Sequence, residues 1–329
     1  MKEVAERAGV AISSVSRVIS GHPDVSEAMR ARVMKAIEEL EFRPDARAQS
    51  LRTGSTHTIG FIAADISNPL FAEIATGAEI ELRAWNYSML VANAFNDAEL
   101  VREQLLLMEH RSVDGLLLSV SDETDPELQA VLQRMPFPIT LIDRDVRGFT
   151  GSAVLSDHAA GLEEAVACLV SLGHRRIALV NGSEKVRPSR ERAATLRRAL
   201  EHADGVVPEL RMGEFSAEYG YAATRELMAK SARPTAVIAG SNQILMGVLQ
   251  ALRDLALTVP DDVSLVSCDD LPVLSFLDPP VSTIARDPLA MGTQAAQLVL
   301  EEIDGAAPKS VVLATEFRRT ASCGAPAAP

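Results

Sequence analysis

Over residues 2–41 apolar positions fall at helical spacing, broken at Gly9-Val10 and at Ser20-Gly21-His22-Pro23-Asp24, which predicts three short helices. Ser26 can cap the third, and Met29, Val33, Ile37 and Leu40 follow it on one face. Phe42-Arg43-Pro44, a polar stretch and Thr53-Gly54-Ser55-Thr56 then break the pattern, so the Pro-to-Gly interval reads as a linker. From His57 the period changes. Short apolar runs at 58–64, 88–92, 115–120, 139–143, 176–180, 211–215, 236–239, 263–267 and 310–314 predict strands. Between them, 71–85, 97–111, 161–172, 189–203, 218–229, 243–255 and 289–304 predict helices. Such alternation builds parallel sheets with helices on both faces. The stretch is too long for one compact sheet, so two α/β lobes are expected, with ligand outside the carboxyl ends of their strands.

Composition narrows the class without naming a function. At 329 residues, 47% hydrophobic and 23% charged, the chain is a multi-domain globular protein rather than a disordered, collagen-like or disulfide-stapled one. No apolar run approaches a bilayer span, and MKEVAERAGV lacks a signal-peptide core. Cys168, Cys268 and Cys323 are far apart and odd in number, which suits a reducing cytoplasm and gives no metal-ligand spacing. The net charge of −13 argues at first against nucleic acid. It is unevenly spread: residues 1–54 carry nine Lys/Arg against eight Asp/Glu, and the rest carries 23 against 37. A nearly neutral segment precedes an acidic body, so local placement must decide about DNA.

That placement is informative in residues 4–20. Val4, Ala8, Val15 and Val18 can bury one face of two helices, Ala5 permits a close crossing, and Gly9 suits a tight left-handed turn. Ile12, Ser13, Ser14, Ser16 and Arg17 remain on the outer face of the second helix. Hydroxyls there can reach phosphates and an arginine can fork onto guanine in a major groove. The alternative is an ordinary helical hairpin, although this face lacks the Glu/Lys mixture of a merely solvated helix.

The segments VAERAGVAISSVSRVIS, FRPDARAQSLRTGSTHTIGFI and DISNPLFAEI resemble the lac-repressor (LacI/GalR) family of bacterial transcription regulators. VDGLLL, LGHRRIALV, RPTAVIAGSNQILMG, VPDDVSLVSCDD and PPVSTI resemble the same family in the same order, so the likeness spans nearly the whole chain. The resemblance implies an α/β protein with an N-terminal three-helix helix-turn-helix headpiece (1–43) and a hinge helix with linker (44–56). It further implies a two-lobed periplasmic-binding-protein-like core (57–329) with parallel sheets. The lobes would be about 57–159 with 288–315, and about 160–287 with 316–323. It implies a cytoplasmic homodimer on double-stranded, pseudo-palindromic operator DNA, acting as a repressor under a sugar-like effector, with no cofactor.

Carried over by position, Ile12, Ser13 and Arg17 would read bases, and Ser14, Ser16 and Ser20 would touch the DNA backbone. In the hinge, Leu51 would wedge into the minor groove, Ala48 would let paired helices approach, and Arg47 and Arg52 would lie near phosphates. The segment 45–51 is too short to hold a helix alone, and a passive linker is the alternative. Two departures stand out: Ala11 replaces a capping Ser, and Met1-Lys2 leaves no capped residues before the first helix. Either the first turn frays or the true start lies upstream of Met1.

The effector site implied by the family takes Asp65, Asn68, Leu70 and Phe71 from the first loop and helix. Arg192, Phe215, Ser241, Asn242, Asp269 and Arg286 come from later strand ends. Asp and Arg suit sugar hydroxyls and Phe suits an apolar sugar face. Asn242 stands for a family Asp and Arg286 for a frequent Gln. Both make the site more positive, which admits a sugar acid or phosphate behind a neutral sugar. The six histidines show no ligand spacing, and no GxSxG, Walker loop or GxGxxG occurs, so nothing argues for an enzyme. The rivals are a sugar-binding protein of the same core fold that does not bind DNA, and an α/β sugar hydrolase lacking a nucleophile. Family members that tetramerise carry a leucine-heptad tail, and the residues after Arg319 hold no such heptads, so the resemblance implies a dimer.

Overall fold

The computed structural model describes residues 1–19, 22–42, 54–201, 203 and 205–327, and the chain divides into two units, Met1–Thr56 and His57–Pro329. In the first unit, α1 (Lys2–Ala8), α2 (Ile12–Ile19) and α3 (Glu27–Glu39) close around Val4, Ala5, Ala8, Val15, Val18, Val33 and Ala36. Gly9 ends α1 at φ 65, a left-handed conformation that a Cβ would strain. Ser26 caps α3 by accepting a bond from the Met29 amide at 3.3 Å. Met1 gives α1 no side-chain cap, and Ala11 ahead of α2 has no side-chain acceptor. Leu40, expected on the apolar face of the third helix, stays exposed beyond its end.

The second unit holds two six-stranded sheets. The N-lobe sheet contains β1 (Thr58–Ala63), β2 (Ser88–Asn93), β3 (Gly115–Leu118), β4 (Ile139–Ile142), β5 (Ser152–Ser156) and β11 (Ser310–Leu313). Its order is β11-β5-β4-β3-β1-β2, parallel throughout. The C-lobe sheet contains β6 (Arg176–Asn181), β7 (Val207–Met212), β8 (Ala236–Ala239), β9 (Ser264–Cys268), β10 (Ser282–Ala285) and β12 (Glu316–Arg318). Its order is β12-β10-β9-β8-β6-β7, parallel except for β12 against β10. Helices α4 (Pro69–Ala84), α5 (Ala98–His110), α6 (Pro126–Arg134) and α11 (Pro288–Ile303) accompany the first sheet. Helices α7 (Ala160–Ser171), α8 (Arg187–Leu200), α9 (Ala217–Met228) and α10 (Asn242–Asp254) accompany the second. The chain passes between lobes three times, after β5, after β10 and after β11.

Strands β3, β4, β8, β9 and β10 are buried at every position, as parallel strands covered on both faces must be. Four hydrophobic clusters, one on each face of each sheet, hold the lobes together. Some elements differ from the sequence reading. The strand expected at 211–215 lies at 207–212, because the edge strand β7 is half-exposed and lacks a strong apolar run. α6, β5, β10 and β12 were not expected. α6 is capped by Asp125 with Pro126 in its first turn, β10 begins with Ser282 and Thr283 rather than an apolar run, and β12 has only three residues.

Candidate functional site

In the first unit α2 buries Val15 and Val18 and turns Ile12, Ser13 and Arg17 to solvent, with Ser14 and Ser16 half-buried at its flank. Ile12 is 48% exposed, an apolar side chain on the open face of the helix. Ser20 and the hinge residues Arg47, Ala48, Leu51 and Arg52 lie outside the described residues.

In the second unit the carboxyl ends of both sheets face one cleft. Asp65 and Asn68 reach it from the β1–α4 connection, Leu70 and Phe71 from the first turn of α4, Arg192 from α8, Phe215 from the loop after β7, and Ser241, Asp269 and Arg286 from the ends of β8, β9 and β10. Together they line one cavity between the strand ends of the two lobes. Its apolar wall is Phe71, Phe215, Ile74 and Met291. Asn242 is placed differently. It packs against Asn68, donating Nδ2–H to Asn68 Oδ1 at 2.8 Å, and lines a small side cavity with Glu73 and Asp270. Its neighbour Gln243 faces the main cleft and bonds Asp65 across it at 3.1 Å.

Several of these side chains also build the site. Asn68 Oδ1 caps α4 through the Leu70 amide, and Ser241 Oγ caps α10 through the Ile244 amide. Arg192 donates Nη1–H to the Gly240 carbonyl at 2.9 Å, which anchors it beside the end of β8. Phe215 leans on Gly182, where a Cβ would stand 2.2 Å from its ring, so that strand end must be bare. Asp269 has φ 124, a strained conformation for a residue with a side chain.

The sequence reading missed the centre of the charge network, Asp143. It follows β4 directly, accepts from the Ser156 amide at 3.1 Å, and receives Arg286 Nη1 at 2.9 Å and Arg187 Nη1 at 3.3 Å. His158 Nε2 lies 3.0 Å from its Oδ2. Burial raises the Asp143 carboxyl, but the His158 ring, Arg286 and Arg144 outweigh it and hold it well below the usual carboxylate range. Burial, with the Arg192 and Arg286 charges, pushes His158 down to about 4 against the pull of Asp143. A neutral His158 therefore donates its Nε2–H to an ionised carboxylate. Arg286 spans two carboxylates, with Nε and Nη2 on Asp269 at 2.8 and 2.7 Å as well as Nη1 on Asp143. The expectation of a more positive site thus needs correction, because Arg286 brings a charge that two acids already balance. Arg144, also missed, is buried at the same strand end and bonds the Val120 and Asp143 carbonyls. Three acids (Asp65, Asp143, Asp269) and three arginines (Arg144, Arg192, Arg286) line the cavity.

Among the described residues no group of three or more His, Cys, Asp or Glu could hold a metal ion, and no helix is long and apolar enough to cross a membrane.

Residues 1–45 match the bacterial regulatory proteins of the lacI family, and residues 166–323 match the periplasmic binding protein-like domain. Over 307 residues the chain is 34% identical to the ribose operon repressor of Escherichia coli strain K12, covering 92% of each. It is 33% identical over 306 residues to the HTH-type transcriptional repressor PurR of Escherichia coli O1:K1, covering 92% of this chain and 90% of that one. A LacI family transcriptional regulator from Enterococcus faecium, solved with bound ribose, superposes with a TM-score of 0.71 at 26% identity, over 82% of this chain and 99% of that one. The outward face of α2, the two parallel-sheet lobes and these likenesses agree: the chain belongs to the lacI family of bacterial regulatory proteins and is a DNA-binding transcription regulator.

Proposed function

We propose that this regulator is a cytoplasmic, dimeric repressor without catalytic activity, and that an uncharged sugar of the ribose class in the cleft sets its operator affinity. The observation that carries the effector class is the charge balance of the cavity: three carboxylates face three guanidinium groups, and Arg286 is spent on Asp143 and Asp269. A phosphate or carboxylate entering there would meet Asp65, Asp143 and Asp269 and would compete with the last two for Arg286, whereas sugar hydroxyls can both donate to the acids and accept from the arginines. Phe71 and Phe215 supply the apolar faces. The relatives support the same class, since one is named for the ribose operon and another was solved with ribose.

In this reading residues 1–43 are the DNA-reading headpiece, 44–56 the hinge and 57–329 the effector and dimer core. Ile12, Ser13 and Arg17 read bases, and Ser14, Ser16 and Ser20 hold the DNA backbone. Leu51 is the minor-groove wedge, with Ala48 at the helix contact and Arg47 and Arg52 by the phosphates. Asp65, Asn68, Leu70, Phe71, Arg192, Phe215, Ser241, Asp269 and Arg286 hold the effector, joined by Asp143 and Arg144, while Asn242 supports Asn68 from behind.

Thermal unfolding with D-ribose and with D-ribose 5-phosphate tests the class. Free ligand at a hundredfold its Kd stabilises the protein that binds it by about 2.7 kcal/mol. D-ribose is expected to raise Tm and its phosphate to leave it unchanged. The reverse order would make the site an anion site.

A further inference from the structure

Glu123 is a buried carboxylate that the effector reading does not use. It sits in the N-lobe loop between β3 and α6, with its side chain 2% exposed. Its Oε1 accepts from the Asp145 amide of its own lobe at 3.1 Å and from the Arg187 amide of the other lobe at 2.9 Å. Its Oε2 receives Arg190 Nη2 at 2.5 Å, also from the other lobe. The Glu123 amide completes the seam by donating to the Lys185 carbonyl at 3.0 Å, and the adjacent Asp122 pairs with Lys185 Nζ at 2.7 Å.

Both C-lobe partners of that carboxylate belong to the first turn of α8, a helix that cannot cap itself. Its N-cap residue, Val186, has the extended backbone of a cap (φ −123, ψ 144) but no side-chain acceptor, and no acid occupies the first turn. Two arginines, Arg187 and Arg190, crowd the positive end of the helix dipole instead. Glu123 supplies what is missing, an acceptor for an orphan amide and a negative charge at the helix start, from the opposite lobe. Further along the same helix Arg192 turns into the cleft.

We propose that Glu123 caps α8 in trans, so that parting the lobes and loosening the helix start that positions Arg192 are one event. Glu123 is then a positioning residue for whatever occupies the cleft; only this consequence at Arg192 rests on the effector reading, and the test needs no ligand. Lobe closure gains a cap each time it forms, and opening leaves α8 with an unsatisfied, positively charged end.

Hydrogen–deuterium exchange of the full-length protein separates capping from coupling. The residue-123 amide, bonded to the Lys185 carbonyl, reports lobe contact, and the amides of Arg187 and of Ser189–Glu191 report the helix start. In Glu123→Ala both are expected to exchange about tenfold faster, the factor that corresponds to losing an ordinary cap. Adding Val186→Thr, nearly the same shape with a hydroxyl, gives α8 a cap in cis. The amides of Ser189–Glu191 should then return toward parental rates while residue 123 stays fast. Parental protection at residue 123 in Glu123→Ala would overturn the proposal. So would recovery of both segments on adding Val186→Thr, which would reduce Glu123 to helix stabilisation. Should the alanine variant not fold, Glu123→Gln keeps the shape and one acceptor; faster exchange at both segments supports the proposal, and parental rates at both refute it.

Discussion

The headpiece and the core display their functional side chains in opposite ways. In the headpiece a small set of buried residues forms the core, and the candidate DNA readers are what remains outside: Ile12, Ser13 and Arg17 on the open face of α2. In the core the candidate effector residues lie inside the cleft, already bonded to one another. Arg286 holds two carboxylates, Asp143 collects His158, Arg187 and Arg286, and Asn68 and Ser241 double as helix caps. A surface reader can be changed with little cost to its scaffold, whereas a cleft residue cannot be changed without disturbing its partners.

Replacing Asp143 with Ala should break that contrast most visibly, if it is to break. It takes from Arg286 and Arg187 the buried acid they share, leaving Arg286 on Asp269 alone, and removing one member of a buried ion pair costs roughly 3–5 kcal/mol. Urea unfolding followed on the core should show that loss. Ser13→Ala, followed on the headpiece, should cost no more than about 0.5 kcal/mol, as exposed substitutions do. Equal losses would mean that the two regions are built alike.

Next in size is the effect of Arg17 on DNA. If it forks onto a guanine, Arg17→Ala should weaken operator binding by about 1–3 kcal/mol, with random-sequence binding changed much less. Titrations at one salt concentration measure both. A uniform drop would reduce Arg17 to a phosphate contact and remove its place among the base readers.

A further expected effect is proton-linked and belongs to the core. His158 titrates near 6.5 when unfolded and at about 4 when folded, so between these values the unfolded chain binds the additional proton. The contribution of neutral His158 to stability is complete above about pH 6.5 and declines as pH falls toward about 4. Denaturant unfolding across that window should show the slope in the parent and a shallower one in His158→Gln. The same slope in both would place the proton elsewhere.

How much the sequence revealed follows the same division. In the headpiece Val4, Ala8, Val15, Val18, Gly9 and Ser26 could be assigned from spacing alone, because a small helical unit has one inside and one outside. In the core the long strand–helix alternation was legible. The short pieces were not, since β10 begins with Ser282 and Thr283 and β12 has only three residues. The family resemblance pointed to Asp269 and Arg286, and the strand-end position that set Asp269 apart would, applied to β4, have reached Asp143-Arg144. Pairing was the missing information. Reading Arg286 as an added positive charge failed because Asp143 lies 143 positions away in sequence and meets it only once two sheets are formed. Glu123 was equally hidden, since its partners at Arg187 and Arg190 are in the other lobe.

In the proposed function a sugar in the cleft changes the affinity of the headpiece for DNA. Operator binding measured with and without saturating D-ribose, in the parent and in Arg192→Ala, tests it directly. A ligand moves such an equilibrium by its differential affinity for the two lobe orientations, typically about 5–150-fold. The parent should show a shift in that range, and Arg192→Ala should bind operator like the ligand-free parent whether or not sugar is present. An equal shift in both proteins would contradict the claim.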